Sequence, residues 1–139
     1  MGLEMSHGCY LGPCSAFNHL RSEIALAAGY DVKAVREVIH DQVVYKGRYE
    51  LDAESLPPGH ELGEWNELPK DPLLILLAHS DSTGFIKAEH CAALADALEP
   101  LVAKLVGKVD DRNTDAGAVR SMIDGLREAA GAGEDVEFC

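Results

Sequence analysis

Cys91, Leu94, Leu98, Leu101 and Leu105 recur at alternating spacings of three and four. That spacing lines one face of an α-helix and demands an apolar partner. It predicts a central helix over 87–107, buried against other elements. Pro100 falls inside the stripe and should kink the helix or split it in two.

The same period marks neighbours for it. Phe17, Leu20, Ile24 and Ala27 follow the Gly12-Pro13 turn, with Ser15 as a cap and Gly29 as a stop. Val32, Val35, Val38 and Ile39 suit a short second helix capped by Asp31, although β-branched residues also favour strands. Asp71-Pro72 starts a short buried helix over Leu73 to Ala78. Val119, Met122, Leu126 and Ala129 mark the last helix, capped by Asn113 or Thr114 and stopped by Gly131 and Gly133. Gln42 to Leu51 reads as a small hairpin around Lys46-Gly47 or an irregular loop. The expected fold is mostly α: an irregular four- to five-helix bundle in one domain over 1–139. It carries an N-terminal arm at 1–13, an acidic loop at 50–71 and an acidic tail at 134–139.

The formal net charge of -12 opposes direct attraction to nucleic acid or an anionic membrane. A protein partner, basic in character, is the expected counterpart. The longest apolar run, Leu73 to Ala78, is far below the ~18 residues of a membrane span. Met1 to Pro13 lacks a basic stretch followed by an apolar one, so a cytoplasmic location is expected. Cys9, Cys14, Cys91 and Cys139 then read as free thiols.

Between Glu50 and Asp71 seven acidic residues stand against one Lys, and the only Trp of the chain, Trp65, lies among them. Trp65 can anchor this loop on the core or contact a partner, where Trp is enriched. Trp65, Glu61, Glu64 and Glu67 form the candidate partner-binding surface.

Few residues suggest chemistry. His79 to His90 has the outline of a calcium-binding loop, with Gly84 sixth and Ile86 eighth. Its first and twelfth positions need carboxylates and hold His79 and His90. A structural turn built on His79, Asp81 and Gly84 explains the segment better, with Asp81 or Ser82 accepting from backbone amides. A zinc set of His79, Asp81, His90 and Cys91 fails because adjacent helical residues point about 100° apart. His7, Cys9, Cys14 and His19 form a second conceivable set, but their spacing matches no familiar zinc finger. There is no Gly-x-Ser-x-Gly elbow, no Cys–His pair with a supporting frame and no phosphate-cradling glycine loop. No catalytic residue and no cofactor are therefore expected.

Three segments together resemble a family of small uncharacterised proteins from actinobacteria and their phages. They are Ser15-Ala-Phe17-Asn-His-Leu-Arg21, Asp71-Pro72-Leu73 through His79-Ser80-Asp81 with Gly84, Ile86 and Cys91, and Leu126 to Phe138 with its Gly133 stop. Residues 42–70 and Ser82-Thr83 depart from that pattern. The resemblance implies a bacterial or phage setting and no activity. The expected function is a non-enzymatic protein–protein interaction module that binds through an acidic surface. The alternatives are an acidic DNA mimic that occupies a nucleic-acid-binding protein, and a small metal protein or enzyme using the His79-Asp81-His90 region.

Overall fold

The computed structural model describes residues 2–39, 42–47 and 57–139. Residues 2–13 are not a loose arm. Leu3 and Met5 are buried while Gly2 and Glu4 are exposed, the period-two pattern of a strand, and they form β1 (Gly2–Met5). A 3-10 turn at Ser6–Gly8 reverses the chain into β2 (Tyr10–Pro13), antiparallel to β1 with Leu3 opposite Gly12. Helix α1 follows at Cys14–Ala27, and Gly29 at φ +91° ends it. It begins one residue before Ser15, with Pro13 at the cap position, so Ser15 is not its cap.

Tyr30–Ile39 is a strand, β3, and not the short helix that Asp31 was expected to cap. Its branched residues Val32, Val35, Val38 and Ile39 follow the strand preference. It pairs antiparallel with β4 (Gln42–Gly47), Ile39 opposite Gln42, so Gln42–Gly47 is one arm of a hairpin with β3. Residues 50–56 of the expected acidic loop lie outside the described residues.

Asp71 starts the next element as expected, its Oδ1 accepting from Leu73 N–H at 3.1 Å. The short α2 (Leu74–Leu77) follows, then β5 (Gly84–Ile86) and α3 (Ala88–Leu98). Pro100 splits the stripe: α3 stops at Leu98 and a 3-10 helix runs over Glu99–Lys104. Leu94 and Leu98 are fully buried, Leu101 is nearly so, and Leu105 is half-buried. Helix α4 (Asp115–Ala132) is capped by Thr114, whose Oγ1 accepts from Gly117 N–H at 3.2 Å. Gly133, at φ +68°, closes it.

The expected acidic tail is β6 (Val136–Phe138), with Val136 and Phe138 inside and Glu137 outside. It lies between β1 and β5 in a sheet ordered β2-β1-β6-β5, antiparallel throughout. The chain ends are thereby joined. Glu4 N–H donates to Cys139 O at 3.1 Å, and Cys139 N–H to Glu4 O at 2.8 Å.

The fold is mixed α/β, an antiparallel sheet packed with helices, and not the expected mostly α bundle. Leu3, Met5, Val136 and Phe138 of the sheet share one core with Phe17, Leu20 and Ile24 of α1, Leu94 and Leu98 of α3, and Val119, Met122 and Leu126 of α4. Each such side chain contributes about 1.5–3 kcal/mol by leaving water. Arg120 on α4 grips Glu99 with two bonds of 2.6 and 3.1 Å, and holds that carboxyl below its ordinary range. No helix among the described residues is long and apolar enough to cross a membrane.

Candidate functional site

Arg21 lies on the same face of α1 as Phe17 and Ile24, and it is fully buried. Its guanidinium sits 4.7 Å from the Phe17 ring centroid. Nη1 donates to the carbonyl oxygens of His79 at 2.5 Å, Leu76 at 3.3 Å and Leu77 at 3.4 Å. These carbonyls lie where α2 ends, and Leu76 O also accepts from His79 N–H at 3.3 Å. Nη2 bonds Asn18 Oδ1, and Asn18 Nδ2 donates to Asp81 Oδ2 at 2.8 Å. One face of α1 thus holds the whole His79-Ser80-Asp81 turn.

Inside the turn, Ser80 Oγ accepts from the N–H groups of Ser82 at 3.2 Å and Thr83 at 3.4 Å. The role expected of Asp81 or Ser82 therefore falls to Ser80, and the Asp81 carboxylate reaches across to α1 instead. The turn leads into β5 rather than directly into a helix.

His79 is fully buried, its ring stacked on Phe138 at 3.9 Å between centroids. Nδ1 lies 2.9 Å from Ser80 O and Nε2 lies 2.9 Å from Phe85 O. Burial pushes the ring's pKa below its ordinary value; the two carbonyls act the other way, and the Arg21 and His60 charges add to the lowering. Both nitrogens face carbonyl oxygens inside the core. His90 is buried on α3, and burial lowers its pKa too. Its Nδ1 has no hydrogen-bond partner among the described residues. The neighbouring Cys91 thiol donates to Lys87 O at 3.4 Å and is pushed up to about 11 by burial.

Segment 57–71 is laid over this turn. Ser80 N–H donates to Glu61 O at 2.8 Å. Gly63 and Gly84 are required where the two chains cross, at φ +91° and +103°. A Cβ on Gly63 would fall 1.6 Å from Phe85 O, and one on Gly84 would fall 2.8 Å from Leu62 Cα. Trp65 is only 5% exposed and belongs to the core. Lys87 Nζ donates to its carbonyl at 2.7 Å, and the His60 ring packs edge-on at 6.3 Å. The indole Nε1 is buried without a hydrogen-bond partner among the described residues. Of the two roles expected for Trp65, anchoring is the one its burial fits.

Beyond this anchor the segment opens to solvent. A groove of about 530 Å³ is lined by Pro57, Trp65, Glu67, Leu68 and Lys70 among others. Glu64 and Glu67 are exposed, Glu61 is half-buried, and Leu68 is 46% exposed. Of the acidic residues expected to form a surface, Glu67 lines this groove, the Glu64 side chain lies beside Gly59, and Glu61 lies 3.4 Å from His60 Nδ1.

The chain matches no family model, no curated protein and no solved structure.

The other candidate ligands are dispersed. His7 lies 3.7 Å from both Glu128 and Glu134, and Cys9 is buried, its thiol pushed up to about 12. The Cys14 thiol faces Asp81 O at 3.5 Å, and His19 is exposed beside Glu23. Among the described residues no group of three or more His, Cys, Asp or Glu side chains is placed to hold a metal ion. Sequence reasoning missed Arg21, Asn18, Ser80 and Gly63. For Arg21 a signal existed: it sits four residues after Phe17 and three before Ile24, a cation on an apolar face.

Proposed function

We propose that the protein is a non-enzymatic binding module that receives a basic, amphipathic segment of a partner protein in the groove of residues 57–70. The supporting observation is a groove that sets Pro57, Trp65 and the exposed Leu68 beside the exposed Glu67 carboxylate. Trp65, Gly63 and the Lys87 bond fix the backbone, while Glu64, Glu67 and Leu68 remain free for contact. Leu68 and the groove walls would take apolar side chains, and Glu64 and Glu67 would meet Lys or Arg. Such rim charges act mainly on the association rate and are screened over a Debye length of about 8 Å at physiological salt. The bacterial or phage setting and cytoplasmic location belong to the same proposal.

The test uses a synthetic peptide that alternates Leu with Lys or Arg as the probe. Its affinity should weaken as salt rises, and the double substitution Glu64→Gln, Glu67→Gln should flatten that dependence. Equal affinity and equal salt dependence for both proteins would refute the reading.

A further inference from the structure

We propose that the hollow between strand β2 and the start of α4 captures the extended C-terminal end of a partner protein, with a backbone pair formed at Leu11 and the terminal carboxylate held by Arg112. This hollow is separate from the groove of residues 57–70 and depends on nothing bound there.

Strand β2 ends the sheet, so one of its sides has no strand beside it among the described residues. On the neighbouring strand, Glu4 spends both its N–H and its C=O on Cys139. In an antiparallel sheet the two groups of one residue point to the same side, so those of Glu4 point away from β2. Leu11 stands opposite Glu4, and its own N–H and C=O therefore point out of the sheet. Nothing among the described residues bonds them. Those of Tyr10 and Gly12 point inward, to Met5 and Leu3. One residue of an added antiparallel strand can thus exchange both bonds with Leu11. The Leu11 side chain, 74% exposed, gives that strand an apolar neighbour.

The guanidinium supplies the second contact. A hollow of about 220 Å³ beside this edge is lined by Tyr10, Leu11, Arg112, Asn113, Ala118 and Ser121, and Arg112 is the only charged residue among them. Acidic side chains number 24 against 12 basic ones, and Asp110, Asp111 and Asp115 are close in sequence. Arg112 nevertheless makes no ion pair among the described residues, unlike Arg120 and Arg127. Its one bond there runs from Nη2 to Gly8 O at 3.4 Å. A carboxylate takes two guanidinium donors side by side. The amides of Ala116 and Gly117 are already spent on Val106 O and Thr114 Oγ1, so the side chain, and not the helix end, is the partner of the anion.

The Gly8 bond sets the guanidinium at the end where β2 begins. A strand added antiparallel runs toward that end, and its carboxyl terminus arrives there. At about 3.4 Å per residue, a carboxylate one or two residues past the one facing Leu11 lies alongside the stretch from Tyr10 back to Gly8. Side chains of an added strand leave through its two faces, so the acid in line with the ladder is the terminal one. The preceding residues follow β2 into an adjoining hollow of about 270 Å³ along Pro13, Ala16 and His19, where Asp115 on the wall disfavours further acids. The net charge of -12 also repels an acidic run, and Arg112 repels the Lys- and Arg-bearing segment proposed for the other groove. The fitting occupant is an uncharged chain end with its single carboxylate.

The experiment titrates the labelled full chain with an acetylated six-residue peptide of alternating Ser and Val that ends in a free carboxylate, and with the same peptide as its C-terminal amide. The expected result is saturable shifts at the Leu11 and Gly12 amides and the Arg112 Nε–H, and slower amide exchange at Leu11. The carboxylate form should bind at least about tenfold more tightly than the amide form. Arg112→Gln, at an exposed site, should erase that difference by weakening the carboxylate form alone, with the melting temperature unchanged. Equal affinity of the two forms for the native chain, shifts centred away from 10–12 and 112–113, or no saturable shift at millimolar peptide would overturn the proposal. So would an amidated peptide with Glu last that binds as well as the free carboxylate, which would assign the site to an acidic side chain.

Discussion

Arg21→Met keeps most of the buried stem and removes the guanidinium. Three carbonyls lose a donor, at 2.5 Å for His79, 3.3 Å for Leu76 and 3.4 Å for Leu77. Leu76 O still accepts from the backbone, at 3.3 Å from His79 N–H. Its loss is therefore small. The carbonyls of Leu77 and His79 belong to buried residues, and each unsatisfied group costs about 1–3 kcal/mol. The contact with the Phe17 ring adds about 0.5–1 kcal/mol. A destabilisation of about 2.5–7 kcal/mol follows, a large part of the total stability of an ordinary domain. Urea unfolding followed by Trp65 fluorescence measures it, as a lower midpoint at unchanged slope. The same variant removes a cation facing His79, so the His79 ring should titrate at a higher pH than in the native chain. A loss below about 1 kcal/mol with an unmoved ring would refute the role given to Arg21.

Gly63→Ala should destabilise by at least about 2 kcal/mol, since it adds a left-handed backbone penalty to a collision with Phe85 O. Gly131→Ala is the matched control on α4; with nothing within 4 Å of the new Cβ, it should stabilise by about 0.5–1 kcal/mol in the same thermal melt. Leu98→Ala, at a fully buried site, should cost about 2–5 kcal/mol by chemical denaturation, and a loss under about 0.5 kcal/mol would place the stripe outside the core.

The helices were legible where an apolar period ran for several turns, as in Leu94–Leu98–Leu101 and Val119–Met122–Leu126. Caps were legible at Asp71 and Thr114, because each acts within three residues of itself. The sheet was not. Leu3-Glu4-Met5 and Val136-Glu137-Phe138 do alternate, yet three or four residues give too little pattern to stand against loop or tail. Their pairing joins the two ends of the chain, and nothing local encodes that. The Val-rich stretch after Asp31 offered helix and strand alike, and its pairing with Gln42–Gly47 decided for strand. At the candidate site the acidic cluster was visible as composition. The burial of Trp65 and the crossing of Gly63 over Phe85 depend on contacts across more than twenty residues, which periodicity does not report.

Chemical-shift mapping tests the binding proposal most directly. The labelled protein is titrated with the Leu and Lys/Arg peptide at low salt, with the single Trp65 indole N–H as an internal reporter. The expected result is a set of saturable shifts confined to the Trp65 indole and the amides of Asn66, Glu67 and Leu68, with the amides of Arg112 and Asn113, just before α4, unmoved. Shifts centred elsewhere, or shifts at 65–68 that persist unchanged in the Glu64→Gln, Glu67→Gln protein, would contradict it.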